Sequence, residues 1–389
     1  MSINAAAQDE SCQCRVAAKA LSQIPRGTAA EPAGLIPCIC FAANAAPLSQ
    51  RRFEASKEKR HKVQTTIATS ATFHGVGLHS GTPVEMTIRS APAGRGIVFL
   101  RTDLASFGTS GVEIPARWDT VTPSKLCTLI EANGASVSTI EHVMAALVGT
   151  GVHNALIEID GPEVPILDGS AAPFVEGILE AGIRNLGAPL RAIRILETVE
   201  FAEGEAVARL EPAATMEMEF TIDFVDAAIG HQEKSLVLSN GAFVRELMDS
   251  RTFCREADVE MMRANGLALG GTYENAVVVS GARVLSPGGL RHADEAVRHK
   301  MLDAVGDLAL AGAPILGRYV GNRAGHAMTN KLLRALFAQQ GAWEWVDCTA
   351  DQAHSLPGAG VVAAPRARAQ MRPQRTPVRP RMQVAAAAH

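Results

Sequence analysis

Three polar residues recur at four-residue spacing in the stretch DEAVRHKMLDAVGD, residues 294–307: His299, Asp303 and Asp307. Read as a helix, the stretch stacks all three on one face, while Val297, Met301, Ala304 and Leu308 fall largely elsewhere. A His and an Asp one turn apart can place an imidazole nitrogen and a carboxylate oxygen on the same metal ion. The same spacing also suits a hydrogen-bonded pair on a helix surface, so the stripe alone leaves both open. Other polar residues stand where an apolar core is expected: Glu141 and His142 at the start of one helical pattern, His326 at the start of another. Three helical segments therefore offer His, His and Asp, with a Glu and a further His beside them. Three protein ligands and an open fourth position is the arrangement of catalytic zinc, which binds water; structural zinc is usually closed by four ligands, mostly Cys.

These residues need elements to hold them. Residues 136–151, SVSTIEHVMAALVGTG, predict a helix from near Thr139, with Ser138-x-x-Glu141 as a capping box and Ile140, Val143, Met144 and Leu147 as its apolar stripe. Upstream, VQTTIATSATF and PVEMTIRSAP alternate as strands and read as a β-hairpin around the Gly-rich turn HGVGLHSG, residues 74–81. Strands follow around Gly96 to Leu100 and Leu126 to Glu131. NALIEID reads as a buried strand, leading into the turn-rich segment 161–174 and a short helix to Gly182. Gly187-Ala-Pro189 reads as a turn-forming domain boundary before RAIRILETVEF. The second half repeats the order: strands at 206–211 and 215–224, helices at 241–249 and 255–263, a loop at 266–271 and the strand NAVVVSG. The His299 helix, a short strand at Gly317 to Tyr319 and a helix from His326 to about Gln339 complete it. The expected fold class is α+β: two similar domains, 63–187 and 190–350, each a mainly antiparallel sheet packed on helices. No repeat is visible residue by residue.

Composition narrows the function classes. Of 389 residues, 47% are hydrophobic and 20% charged, which marks a soluble globular chain long enough for about two domains. The most apolar stretch, residues 32–50, is interrupted by Pro37, Asn44 and Pro47, so no stable membrane insertion is expected. Residues 1–62 carry nine Lys/Arg and five Asp/Glu, and 365–389 carry six Arg and no acid, leaving 22 basic and 35 acidic residues between them. That acidic middle offers no footprint for nucleic acid, and an anionic ligand must be met by a few local Lys or Arg. Residues 1–62 read as a disordered extension and 351–389 as a disordered Pro/Arg/Ala-rich tail. Of the seven cysteines, Cys12, Cys14, Cys38 and Cys40 form two C-x-C pairs in the extension, whereas Cys127, Cys254 and Cys348 are scattered. Reduced thiols in a cytoplasmic protein are expected.

Five motifs carry a resemblance: S-T-I-E-H at 138–142, L-D-G-S-A-A-P-F at 167–174, S-R-T-F at 250–253, V-R-H-K-M-L-D-A-V-G-D at 297–307 and G-H-A-M-T-N-K-L-L at 325–333. Together they closely resemble the UDP-3-O-acyl-N-acetylglucosamine deacetylases, zinc amidases of lipid A synthesis in Gram-negative bacteria. The resemblance covers roughly residues 63–347. It implies Zn²⁺ on His142, His299 and Asp303, Glu141 as general base, His326 as second acid/base group, Asp307 orienting His326, and Thr252 donating a hydrogen bond to the oxyanion. It further implies that Lys300, Arg323, Phe224 and Phe253 contact a UDP-linked, acylated glucosamine, and that the chain works as a cytoplasmic monomer. Arg323 stands where relatives often carry Lys, and Val-Asp-Ala-Ala follows Phe224 where relatives commonly have His-Pro nearby. Segment 254–276 resembles the family's small βαβ insert, with Val259, Leu267, Ala268 and Ala276 as candidates for lining an acyl passage. Two alternatives stand beside this reading: a zinc amidase of another N-acetyl substrate, and a non-catalytic metal-stabilised binding protein.

Overall fold

Alternation of apolar and polar residues from Ala71 to Ser90 buries one side of each strand, and that patterning decides how the first sheet packs. The computed structural model describes residues 63–361 apart from Lys125; the expected extension at 1–62 lies outside the described residues. Ala71–Val76 and Pro83–Ser90 form the expected antiparallel hairpin. Ala155–Ile159, Ile97–Arg101 and Val112–Pro115 extend it to five strands, with Ile97–Arg101 and Ala155–Ile159 parallel and the other pairs antiparallel. Met86, Ile88, Phe99, Ile114 and Ile157 fill its covered face. Helix α1 is Glu141–Thr150 and α2 is Ala172–Ala181; Phe174 of α2 meets Phe73 of the sheet edge to face at 5.1 Å.

The first expected strand pairs differently from the prediction. Val63–Ile67 joins Ile183–Pro189 antiparallel instead of the Gly-rich hairpin. Gly187-Ala-Pro189 is therefore the end of a strand and not a turn, although Gly187 keeps a left-handed φ of 73° beside an irregular register.

The second sheet has seven strands built around Ile315–Asn322, which is longer than its expected core at 317–319. That strand pairs parallel with Met216–Asp223 and Arg191–Ile195 and antiparallel with Ala206–Glu211; Val199–Glu203, His231–Val237 and Trp343–Asp347 complete the sheet. Helix α3 is Ala242–Glu246 and α4 is Glu256–Ala264. Helix α5, Glu295–Ala309, lies over Met216–Asp223 and His231–Val237, and α6, His326–Ala338, lies over Val199–Glu203 and Ala206–Glu211. The insert is a βαβ unit as expected: Phe253–Arg255 and Val277–Ser280 run parallel with α4 between them, and Arg283–Val284 closes the edge. Ala276 is buried there, and Val259, Leu267 and Ala268 are half-buried.

Residues 351–361, expected in the unstructured tail, instead carry α7, Ala350–His354, and a turn whose Leu356 and Ala359 are buried. Thr349 and Gln352 cap α7 reciprocally through side chain and backbone. The expected tail from 362 onward lies outside the described residues. Helices on mainly antiparallel sheets make this an α+β protein. Among the described residues no helix is long and apolar enough to cross a membrane. Among the described residues, Cys127, Cys254 and Cys348 form no disulfide with one another.

Candidate active site

Helix α1 crosses α5 at very close range, and a glycine makes the approach possible. A Cβ on Gly306 would stand 2.0 Å from the Glu141 carbonyl oxygen, so no side chain is tolerated there without moving backbone. The crossing sets the start of α1 against the polar stripe of α5. Glu141, His142, His299, Asp303 and Asp307 are all only 2–4% exposed, a burial that polar groups tolerate only when partnered.

Sequence spacing suggested a capping box from Ser138, and the structure corrects it. The residue before α1 is Ile140, with no side-chain cap, and the Glu141 carboxylate points elsewhere, accepting from the Thr128 amide at 3.0 Å. Thr139 instead adopts a left-handed φ of 57°, a strained conformation for a β-branched residue. Glu163 holds it there: its carboxylate accepts from Thr139 Oγ1 at 3.0 Å and from the amides of His79 and Ser80 at 2.7 and 2.8 Å.

His142, His299 and Asp303 each offer a ligand atom, all within 4.8 Å of one another. Asp303 Oδ1 lies 3.3 Å from His299 Nε2 and 3.6 Å from His142 Nε2, and it is buried with no hydrogen-bond partner. A tetrahedral ion with ligand bonds of about 2.0–2.1 Å holds its ligands about 3.3 Å apart, and the two Asp303 separations already stand close to that spacing. His299 Nδ1 donates to the Ser250 carbonyl at 3.0 Å, which leaves Nε2 as the free lone pair. Burial pushes His299 down to about 4, keeping the ring neutral and able to ligate near pH 7. Burial opposes ionisation of Asp303, but His299 and Lys300 outweigh it and hold the carboxyl well below the usual range. Lys300 Nζ donates to Asp303 Oδ2 at 2.9 Å.

On the other side of this cluster, His326 Nδ1 sits 2.9 Å from Asp307 Oδ2, and its Nε2 lies 3.8 Å from Glu141 Oε1. Burial disfavours the imidazolium, yet Asp307 and then Glu141 overcome it and raise His326 to about 9. Burial pushes the Glu141 carboxyl up, against the pull of His326 and His142. Glu141, whose proton affinity burial raises, and a protonated His326 imidazole thus flank the three candidate ligand atoms. Burial pushes the nearby Cys127 thiol up to about 11, and the Glu141 charge adds to this, so it stays protonated.

The substrate-side expectations are brought together in part. Edge-to-face contacts run outward from the ligands, His142 to His299 at 5.0 Å, His299 to Phe253 at 6.2 Å and Phe253 to Phe224 at 5.4 Å. Thr252 is half-buried; its amide donates to the Gly169 carbonyl at 2.8 Å, so the L-D-G-S turn fixes its position. Arg323 is exposed and its guanidinium is held by Glu205 and, at 2.7 Å, by Asp223, which places it at the strand end carrying Phe224. Two held arginine contacts would have to be exchanged for a diphosphate.

Several residues at the site carried no signal in the sequence. Glu295 accepts from the Arg251 amide at 3.0 Å, from Arg251 Nε at 2.9 Å and from the Arg291 amide at 2.7 Å, clamping segment 250–253 onto the first turn of α5. Breaking such a buried pair typically costs about 3–5 kcal/mol. Thr128 bridges Glu141 and Asp307, its Oγ1 donating to Asp307 Oδ1 at 2.5 Å. His79, read only as part of a turn, is pushed down by burial, and its Nε2 makes no hydrogen bond. Arg251 and Glu295, and Thr128 and Asp307, pair across distant stretches of sequence, so spacing does not reveal them.

Known proteins resemble this chain over most of its length. Residues 64–338 match the UDP-3-O-acyl N-acetylglycosamine deacetylase family. The UDP-3-O-acyl-N-acetylglucosamine deacetylase of Xanthomonas axonopodis pv. citri (strain 306) is 47% identical over 285 residues, covering 73% of this chain and 93% of the relative. The protein of the same name from Stenotrophomonas maltophilia (strain K279a) is 47% identical with the same coverage. A match across most of the chain shows that the chain belongs to the UDP-3-O-acyl N-acetylglycosamine deacetylase family.

Proposed function

We propose that this chain is a zinc-dependent amidohydrolase that removes acetate from the 2-acetamido group of UDP-3-O-(3-hydroxyacyl)-N-acetylglucosamine, in lipid A biosynthesis. The observation that carries the reading is Asp303 Oδ1, a buried carboxylate oxygen without a hydrogen-bond partner, facing two imidazole nitrogens between Glu141 and His326. The names of the relatives support the substrate class.

His142, His299 and Asp303 would hold the ion. When bound, zinc supplies a water of pKa about 7 and polarises an acyl oxygen. Glu141 takes the proton from the attacking water, the burial that raises its pKa making it a better base. His326, kept protonated by Asp307, faces the developing oxyanion and holds the proton that the departing amine needs. Thr252 adds a hydroxyl donor to the oxyanion, a contribution of about 2.7–4 kcal/mol where such donors have been removed. Lys300 and Arg323 supply positive charge to a diphosphate in an otherwise acidic chain, while Phe224 and Phe253 offer aromatic faces to the nucleotide. The βαβ insert, with Val259, Leu267, Ala268 and Ala276, offers apolar surface to the acyl chain. The same reading takes residues 63–187 and 190–350 as two domains and the protein as a cytoplasmic monomer.

Acetate release from UDP-GlcNAc with and without the 3-O-acyl group tests the substrate assignment. Turnover is expected only with the acylated compound; equal rates would replace the assignment with an amidase of another N-acetyl substrate.

A further inference from the structure

Glu141 and Asp307, which flank His326, share a hydrogen-bond donor that lies outside every motif named above. Thr128 precedes the strand Leu129–Ala132 in the small sheet formed with Val121–Thr122 and Ala135–Ser138, and it is 3% exposed. Its amide donates to Glu141 Oε2 at 3.0 Å and its hydroxyl to Asp307 Oδ1 at 2.5 Å. The other oxygens of the two carboxylates face His326, Glu141 Oε1 at 3.8 Å from Nε2 and Asp307 Oδ2 at 2.9 Å from Nδ1. One residue thus holds the outer oxygen of each carboxylate, while one imidazole hydrogen-bonds the inner oxygen of Asp307 and faces that of Glu141.

We infer that Thr128 is a positioning residue for the reaction, fixing through its hydroxyl the Asp307 carboxylate that orients His326, while its amide fixes Glu141. The inference rests on the proposed roles of Glu141 and His326. A buried carboxylate with a single donor on one oxygen has one preferred rotation, whereas without that donor its plane can turn and take the imidazole with it. Leu126, two residues earlier, has a left-handed φ of 69°. Hydroxyl and amide act separately, because a side-chain change removes one and leaves the other. Thr128→Val keeps the shape and deletes only the hydroxyl, and Thr128→Ser keeps the hydroxyl on a smaller side chain.

The test uses the metal-loaded protein and the acylated substrate. Acetate release by the unaltered chain is measured first; its absence would refute the functional reading and is separate from the comparison that follows. Thr128→Val is expected to lower kcat by about 10-fold to 100-fold, the scale of misoriented catalytic groups, with KM within about twofold and about one metal per chain retained. Thr128→Ser is expected to recover most of the rate. In nitrogen-15 histidine NMR, the His326 Nδ1–H resonance, assigned with His326→Gln, is expected to shift in the Val variant and return in the Ser variant. A Val variant with unchanged kcat, a loss matched by lost metal or raised KM, or a Ser variant as slow as Val would each overturn the inference. Should Thr128→Val fail to fold, Thr128→Ala takes its place in the same comparison, and failure of both to fold would assign Thr128 a structural role instead.

Discussion

Helices α1 and α5 pack closely against each other and both contribute to the candidate site, yet they carry their polar residues differently. Helix α5 displays His299, Asp303 and Asp307 as a stripe along three turns, all buried, opposite a continuous apolar face. Helix α1 has its polar pair, Glu141 and His142, in the first turn, and Val143 to Leu147 behind them are apolar and buried. A stripe registers as periodicity. A pair at a helix start resembles a cap, and only the crossing at Gly306 turns it into half of a site. The lesson is that α5 advertises its chemistry locally, whereas that of α1 depends on its partner.

Removing the contribution of α1 should show the largest effect. Glu141→Ala is expected to cut kcat by at least about 10²-fold while about one zinc per chain stays bound, since general-base contributions run about 10²–10⁴. Activity and metal content measured on the same sample check this, and an unchanged rate would refute the base assignment. Gly306→Ala attacks the crossing itself. Because the atom struck is backbone, the helices must move apart, and a stability loss of about 1–3 kcal/mol is expected in denaturant unfolding. Undiminished stability would mean that the two helices do not need their close approach.

The α5 side can be sharpened through pH. With Glu141 acting as base and His326 as acid, as proposed, the rate should climb as Glu141 loses its proton and fall as pH rises through about 9, where His326 loses its own. Asp307→Asn removes the carboxylate that raises His326, so the alkaline limb should move down, toward the ordinary imidazole value of about 6.5. A pH–rate profile with an unmoved alkaline limb would assign that limb to another group. Smallest is Arg323→Ala, at the rim. Its exposed carboxylate partners are worth about 0.2–1 kcal/mol, so stability should hardly change, and KM should rise a few-fold with kcat nearly constant.

How legible these features were follows from the same contrast. The α+β class, the hairpin at 71–90, the βαβ insert and the start of α6 at His326 could be read because strand alternation, helical periodicity and turn glycines are local signals. The pairing of Val63–Ile67 with Ile183–Pro189 could not, since a strand's partner is a long-range choice. Ser138 and Glu141 have the spacing of a capping box, but Thr128 offers Glu141 a better-buried donor and Glu163 holds Thr139 in a left-handed conformation that the box cannot accommodate. The candidate ligands His142, His299 and Asp303 are legible through the motifs. Their supports, Thr128, Glu163 and the Arg251–Glu295 pair, act across tens of residues or more and leave no pattern along the chain.

The central claim is that one metal ion is shared between α1 and α5. Direct metal analysis of the unaltered protein beside His142→Ala, His299→Ala and Asp303→Ala tests it most directly. The account predicts about one zinc per chain in the unaltered protein and a large loss in each of the three variants, the α1 variant included; zinc retained in full by His142→Ala would contradict it.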